Sequence, residues 1–287
     1  MATTLTRGDR ELLTADAVSF DGSWLGVHVL GMVVIAGAAV VLPVTAFYGA
    51  SVLLVAPGVW QFLGLTHVDD RLGRGLGVLL TLGHSATIWF FEHDPRVLVP
   101  AQSLLPLSAL FFTLLRPSDV ASAGRRATGV AFGPLWIGLL TYLAVACRAA
   151  GEHGAALATL AVLSATLANV GAWISARLFV RQQSSLLALP RLLADAGCAI
   201  ALCILGGAVM AASAPHALPL LDALTFGAVA GGLARVGRLG QAALETSFRG
   251  PSAPALPKHW LPDHLSALLL TSALAYGYVQ LRPLLLG

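Results

Sequence analysis

Asn169, Trp173 and Arg177 recur every four residues, so a helix carrying them presents one polar stripe, with Arg181 one turn further on. A second group runs from Gly237-Arg238-Leu239 to Pro257-Lys258-His259-Trp260-Leu261-Pro262-Asp263-His264-Leu265-Ser266, and between the two stand Pro190-Arg191 and Asp195. Bases of this kind grip phosphate oxygens through charge-assisted hydrogen bonds. Brought to one face, Arg177, Arg181, Arg191, Arg238, Lys258 and His259 would form an electropositive pocket suited to a phosphate or a nucleotide. Each residue also has a plainer reading. Asn169 can bond a neighbouring helix, Arg177 and Arg181 can snorkel as anchors, and Asp263 after Pro262 can cap the last helix.

The elements that must position these residues are set by the solvent. Of 287 residues, 57% are hydrophobic and 11% charged, and the mean hydropathy is +0.80, which is too apolar for a water-soluble globule. The composition predicts an all-α, polytopic integral membrane protein. Stretches long enough to cross about 30 Å of hydrocarbon recur along the chain, which favours helices over a barrel of short alternating strands. About nine spans are predicted: residues 25 to 42, 46 to 64, 75 to 91, 97 to 115, 129 to 148, 155 to 180, 196 to 213, 217 to 236 and 264 to 286. The cut at Pro43 divides apolar sequence that would otherwise make a helix of about 60 Å, twice the hydrocarbon thickness. Residues 1–24 read as a cytosolic tail and 25–287 as a single transmembrane domain, with site loops at 177–195 and 237–263.

Nine spans place Arg7, Arg10, Arg71, Arg74, Arg116, Arg125, Arg126, Arg177, Arg181, Arg191, Arg235, Arg238, Arg249 and Lys258 on the side of the N-terminus. Arg96, Arg148 and Arg282 fall on the other, a partition of 14 to 3 out of 17 basic residues. By the positive-inside tendency the N-terminus and the site loops are cytoplasmic, the C-terminus is outside, and the protein is integral to the cell (inner) membrane. Topology thus accounts for the net charge of +3, and the absence of an aromatic-basic stripe argues against nucleic acid as a partner. The N-terminal tail lacks the apolar core of a cleavable secretory signal.

Cys147, Cys198 and Cys203 lie in or beside apolar spans without metal-ligand spacing and read as packing residues. Gly227 and Gly231, Ala36 to Ala39, and Gly206-Gly207 provide small surfaces for close helix approach. His28 and His84 read as hydrogen bonders between helices. No H-E-x-x-H, G-x-S-x-G or G-x-x-x-x-G-K pattern is present.

At the polar groups the chain resembles the bacterial phosphatidate cytidylyltransferases (CDP-diacylglycerol synthases). From Gly133-Pro134-Leu135-Trp136 through Ala168-Asn169-Val170-Gly171-Ala172-Trp173-Ile174-Ser175-Ala176-Arg177 it is similar to the family's span up to its D-T-x-A-Y-x-x-G-R motif. Asn169 stands for Asp, Trp173 for Tyr and Ala176 for Gly, while Arg177 matches. Leu189-Pro190-Arg191-Leu192-Leu193-Ala194-Asp195 is similar to S-P-K-K-T-x-E, and Leu256-Pro257-Lys258-His259 to L-P-G-H. Asp263-His264-Leu265-Ser266 matches the start of D-R-x-D with Ser266 in place of the second acid, and Gly237-Arg238-Leu239 stands where the family has G-D-L.

The resemblance implies transfer of CMP from CTP to phosphatidate, giving CDP-diacylglycerol and pyrophosphate in phospholipid biosynthesis, with Mg²⁺ neutralising the developing oxygen charge. It implies Asp263 and Arg191 as catalytic residues. Asn169, Arg177, Arg191, Lys258, His259 and Ser266 would bind substrate, and Asp263 and Asp195 would hold the metal. Phosphatidate and CTP would be the partners, and a homodimer is compatible with the family. Because several acids are missing, three readings stand: a divergent transferase, a non-catalytic relative that binds anionic lipid or a partner enzyme with Arg238 as a fixed positive charge in the metal site, and a transporter with an accidental likeness. Glu245 and Asp222 are the carboxylates that could replace lost ligands.

Overall fold

The computed structural model describes residues 22–67, 70–92, 94–114, 120–179, 189–249 and 261–286. Among them the chain is helical throughout: α1 Gly22–Val41, α2 Val44–Leu63, α3 Arg71–Phe91, α4 Pro95–Leu114, α5 Val120–Gly138, α6 Thr141–Ala149, α7 Gly154–Phe179, α8 Leu189–Ser213, α9 Leu220–Arg249 and α10 Leu261–Leu286. A short 3₁₀ turn, Gly151–His153, precedes α7. The α5 and α6 helices form one bent rod. Its joint is a tighter turn in which the Leu139 and Leu140 amides donate to the carbonyls three residues back, at 3.3 and 3.2 Å.

Each expected span overlaps a helix, but α3, α4 and α10 are not among the helices apolar enough to count as candidate spans. Among the described residues six stretches are long and apolar enough to cross a membrane: Ser23–Val41, Val44–Leu63, Ala123–Ala149, Gly151–Leu178, Leu193–Ser213 and Leu220–Phe248. These helices point to a membrane protein.

The α10 helix lies at the centre, packed against α9, α7, α6 and α2. Its sequence is apolar on several sides, as a helix surrounded by others must be, and it buries Leu265, Ala267, Leu268, Leu269 and Ala275. The α7–α8–α9 layer is held by backbone proximity. A Cβ on Gly171 would lie 2.8 Å from the Ala199 Cα and amide nitrogen, and one on Gly231 would lie 2.7 Å from the Ile200 Cα. Gly227 abuts the Cys203 carbonyl in the same way, so the small-residue pair read from the sequence does hold α9 to α8. Gly171→Val is therefore expected to destabilise by several kcal/mol, within the range in which overpacking against unyielding backbone falls. Thermal unfolding in detergent measures it, and a Gly171→Val midpoint equal to wild type would overturn the close-contact account.

Two expected loops are shorter than the sequence implied. Asp195 lies inside α8, and α9 continues to Arg249, beyond the expected span end at 236. The added turns are held by side chains. The Gln241 amide, fully buried, accepts from Trp136 Nε1 at 2.7 Å and donates to Glu245 at 2.7 Å, while Phe248 packs edge-on to Phe62. Hydropathy marks where the apolar run ends, whereas the helix ends where tertiary contacts stop supporting it. Asp263 likewise sits within the first turn of α10 rather than at its cap. The Leu261 amide, in the first turn, donates to another helix, to Gln61 Oε1 at 2.8 Å.

Candidate functional site

The polar residues gather where α1, α7, α9 and α10 meet. The α9 helix is the organiser, because Arg235 and Arg238 stand three residues apart and reach two different neighbours. Arg235 Nη2 donates to Asp195 Oδ2 of α8 at 3.1 Å, both side chains being 8% exposed. Arg238 Nη1 lies 3.3 Å from Asp263 Oδ1 of α10, in a more open position. Each carboxylate expected to hold metal is thus paired with an arginine of one helix.

The close crossing of α9 and α10 makes the second pair feasible. A Cβ on Gly237 would stand 2.5 Å from the Ser266 carbonyl oxygen, so only glycine admits the approach that brings Arg238 to Asp263. Ser266 is fully buried, and its hydroxyl donates to the Asp263 carbonyl at 2.9 Å. That bond is internal to the helix, so Ser266 shapes the first turn of α10.

Aromatic rings complete the cluster. Trp24 and His28 of α1 stack at 5.1 Å, Trp24 and His264 of α10 at 4.9 Å, and the two histidines at 5.9 Å. The Arg238 guanidinium lies 4.5 Å from the Trp24 ring centre, a cation–π contact strengthened by the partial exclusion of water. Asn169, buried on α7, shares a hydrogen bond of 3.0 Å with His28 Nε2. His28 is therefore the interhelical bonder that the sequence implied. His84, by contrast, is buried with Nδ1 unpartnered among the described residues.

The expected site residues divide by this geometry. Asn169, Asp263, Ser266 and Arg238 come into one cluster, and Asp195 joins it through Arg235. Arg177 lies exposed near the end of α7, 5.2 Å from the ring of Trp173, as an interface anchor would. Arg191 belongs to the first turn of α8, but its side chain lies outside what is described. Arg181, Lys258 and His259 fall outside the described residues. Glu245 is engaged with Gln241. Asp222 accepts from the Tyr278 hydroxyl at 2.6 Å and stands sixteen residues before Arg238 on the same helix, about 24 Å away at 1.5 Å per residue. It cannot share a metal with Asp263.

Trp24, Arg235 and His264 are not among the site residues expected from the sequence. The signal was present as Trp24 and His28 at i, i+4 and as Arg235 and Arg238 at i, i+3, but these spacings say nothing about which helices lie opposite. Several buried polar atoms here have no hydrogen-bond partner among the described residues: Asn169 Oδ1, His28 Nδ1, Ser175 Oγ and Asp195 Oδ1. Such groups are ordinarily satisfied by water or ligand. No group of three or more His, Cys, Asp or Glu suited to a metal ion occurs among the described residues. The opposite pole carries a separate clamp, in which Arg148 bonds Glu92 at 2.9 Å and lies 4.0 Å from the Trp89 ring centre. Comparison of the chain with protein-family models and with curated proteins returns no match.

Proposed function

We propose that this is a phosphatidate cytidylyltransferase-like membrane protein in which arginine has taken the place of bound metal, so that it binds phosphate-headed anionic lipid without transferring CMP. The observation that carries this reading is the pairing of Asp195 with Arg235 and of Asp263 with Arg238 from one helix. Mg²⁺ needs several hard oxygen ligands, and carboxylates already neutralised by guanidinium groups are poor ones. Arg238, stacked on Trp24 and paired with Asp263, has the planar guanidinium that matches a phosphate oxygen pair. A second reading, the divergent transferase that makes CDP-diacylglycerol from CTP and phosphatidate, is favoured by one observation. Asn169, Arg238, Asp263 and Ser266, all at motif positions of the resembled family, gather at one meeting of helices. On that reading Asp263 and Asp195 would hold Mg²⁺ after their arginines move aside.

The deciding experiment incubates purified protein with CTP, phosphatidate and Mg²⁺. Retention of phosphatidate with no pyrophosphate release is expected. Sustained CDP-diacylglycerol formation would replace this reading with the transferase.

The proposed topology has nine spans, with the N-terminus cytoplasmic and the C-terminus outside, and it rests on the 14 to 3 partition of basic residues. It puts Arg74, Arg125, Arg177, Arg235 and Arg238 toward the cytoplasmic face, where a lipid phosphate lies. A compartment-sensitive reporter fused after Gly287 is expected to report the outside. A cytoplasmic signal from an inserted fusion would mean an even number of spans.

A further inference from the structure

The α1 helix is attached along a narrow seam. Its buried residues are Trp24, His28 and Met32, a single seam at i, i+4 and i+8. Leu30, Val33, Val34, Val40 and Val41 are exposed, and only 22% of the spanning stretch is buried. It packs on α7 and touches α2 only lightly, although α2 follows at once through Leu42 and Pro43. Two of the three seam residues are polar rings at the site itself, where Trp24 covers Arg238 and His28 covers Asn169. Without His28 the Asn169 amide would lose this partner, and an unsatisfied buried amide is costly. The His28–Asn169 hydrogen bond and the stacked rings of Trp24, His28 and His264 line the α1 side of the polar cluster.

We propose that α1 is a lateral gate. Trp24 and His28 close the polar cluster toward the bilayer, and a lipid phosphate reaches Arg238 when α1 swings away from α7 about the Leu42-Pro43 link. A lipid entering from the side keeps its acyl chains in hydrocarbon, which passage from the water would not allow. The opened site has what a phosphodiester or phosphomonoester headgroup needs, namely guanidinium donors from Arg238 and an amide donor from Asn169 once His28 has left it. The gate rests on the lipid-binding reading above, and its test separates the two.

The α7 helix runs toward the basic pole while α1 runs away from it, so Met32 is level with Ala165, one turn beyond the His28–Asn169 bond on each helix. Met32→Cys with Ala165→Cys, in a chain whose Cys147, Cys198 and Cys203 are replaced by Ala, permits a reversible tie that leaves the site residues in place. Uptake of labelled phosphatidate from phosphatidylcholine vesicles is measured before and after reduction. The oxidised protein is expected to take up lipid at least about tenfold more slowly than the reduced one, and Trp24→Ala to take it up faster than wild type. Equal rates for oxidised and reduced protein would overturn the gate.

Absence of uptake by the reduced protein would instead refute lipid binding, and the gate is then decided without lipid. Nitroxides on exposed Leu30 and Leu178 should give two distance populations in phosphatidylcholine. A single narrow distance there would overturn the gate independently.

Discussion

Arg235→Met is expected to be among the most damaging single substitutions in the protein, lowering stability by roughly 3–5 kcal/mol, because it strands the Asp195 carboxylate in a buried position. The reason lies in the asymmetry of buried ion pairs. Both partners have lost their water, each side chain being 8% exposed, and their mutual attraction across 3.1 Å is what offsets that loss. Asp195 Oδ1 has no hydrogen-bond partner among the described residues, so little else would hold the charge once the guanidinium is gone. Removing both charges together, in Arg235→Met with Asp195→Leu, is expected to return stability to near wild type or above it, since well-packed apolar replacements need no desolvation. Denaturant unfolding in detergent micelles measures the cycle. A double variant as unstable as Arg235→Met would show that the pair matters through something other than its charges.

The second large effect concerns the ligand. Arg238→Ala is expected to weaken phosphatidate retention by about tenfold or more, in keeping with roughly 1.5–3 kcal/mol for a hydrogen bond to a charged group. Asp263→Asn is expected to strengthen it by up to about fivefold. Its carboxylate is the counter-charge of Arg238, and the pair is partly exposed, at 17% and 28%, so about 1 kcal/mol is all that its removal can release. The same substitution gives the opposite result if the protein is a metal-dependent transferase, because the residue would then be a ligand and CDP-diacylglycerol formation would cease. Vesicle flotation with phosphatidate, with phosphatidylcholine as control, reads the binding arm, and pyrophosphate release reads the other. Retention that falls with Asp263→Asn and is unchanged by Arg238→Ala would sink the arginine-centred reading.

The all-helical architecture was legible in the sequence because the bilayer leaves few alternatives. Apolar runs of spanning length must satisfy their own backbone, and the rods coincide with those runs to within a few residues at most ends. The contacts of Gly227 and Gly231 with α8 were also legible, since a small-residue pair on an apolar helix has few other uses. The motif positions singled out a cluster that the fold does assemble in part: Asn169, Arg238, Asp263 and Ser266.

What only the tertiary structure decided is how charge is arranged within that cluster. One-dimensional spacing gives the face of a helix but not the neighbour opposite it. The sequence therefore presented Asp195 and Asp263 as carboxylates open to metal, whereas packing sets Arg235 against one and Arg238 against the other. Nor could it place Trp24 and His28 beside Asn169 and His264, because α1 and α7 are separated by well over a hundred residues and meet only through the fold. The extension of α9 to Arg249 has the same origin. Hydropathy ends with the hydrocarbon, but Gln241 bonded to Trp136 and Glu245 carries the helix past that boundary, because those bonds satisfy polar groups that an apolar run could not supply.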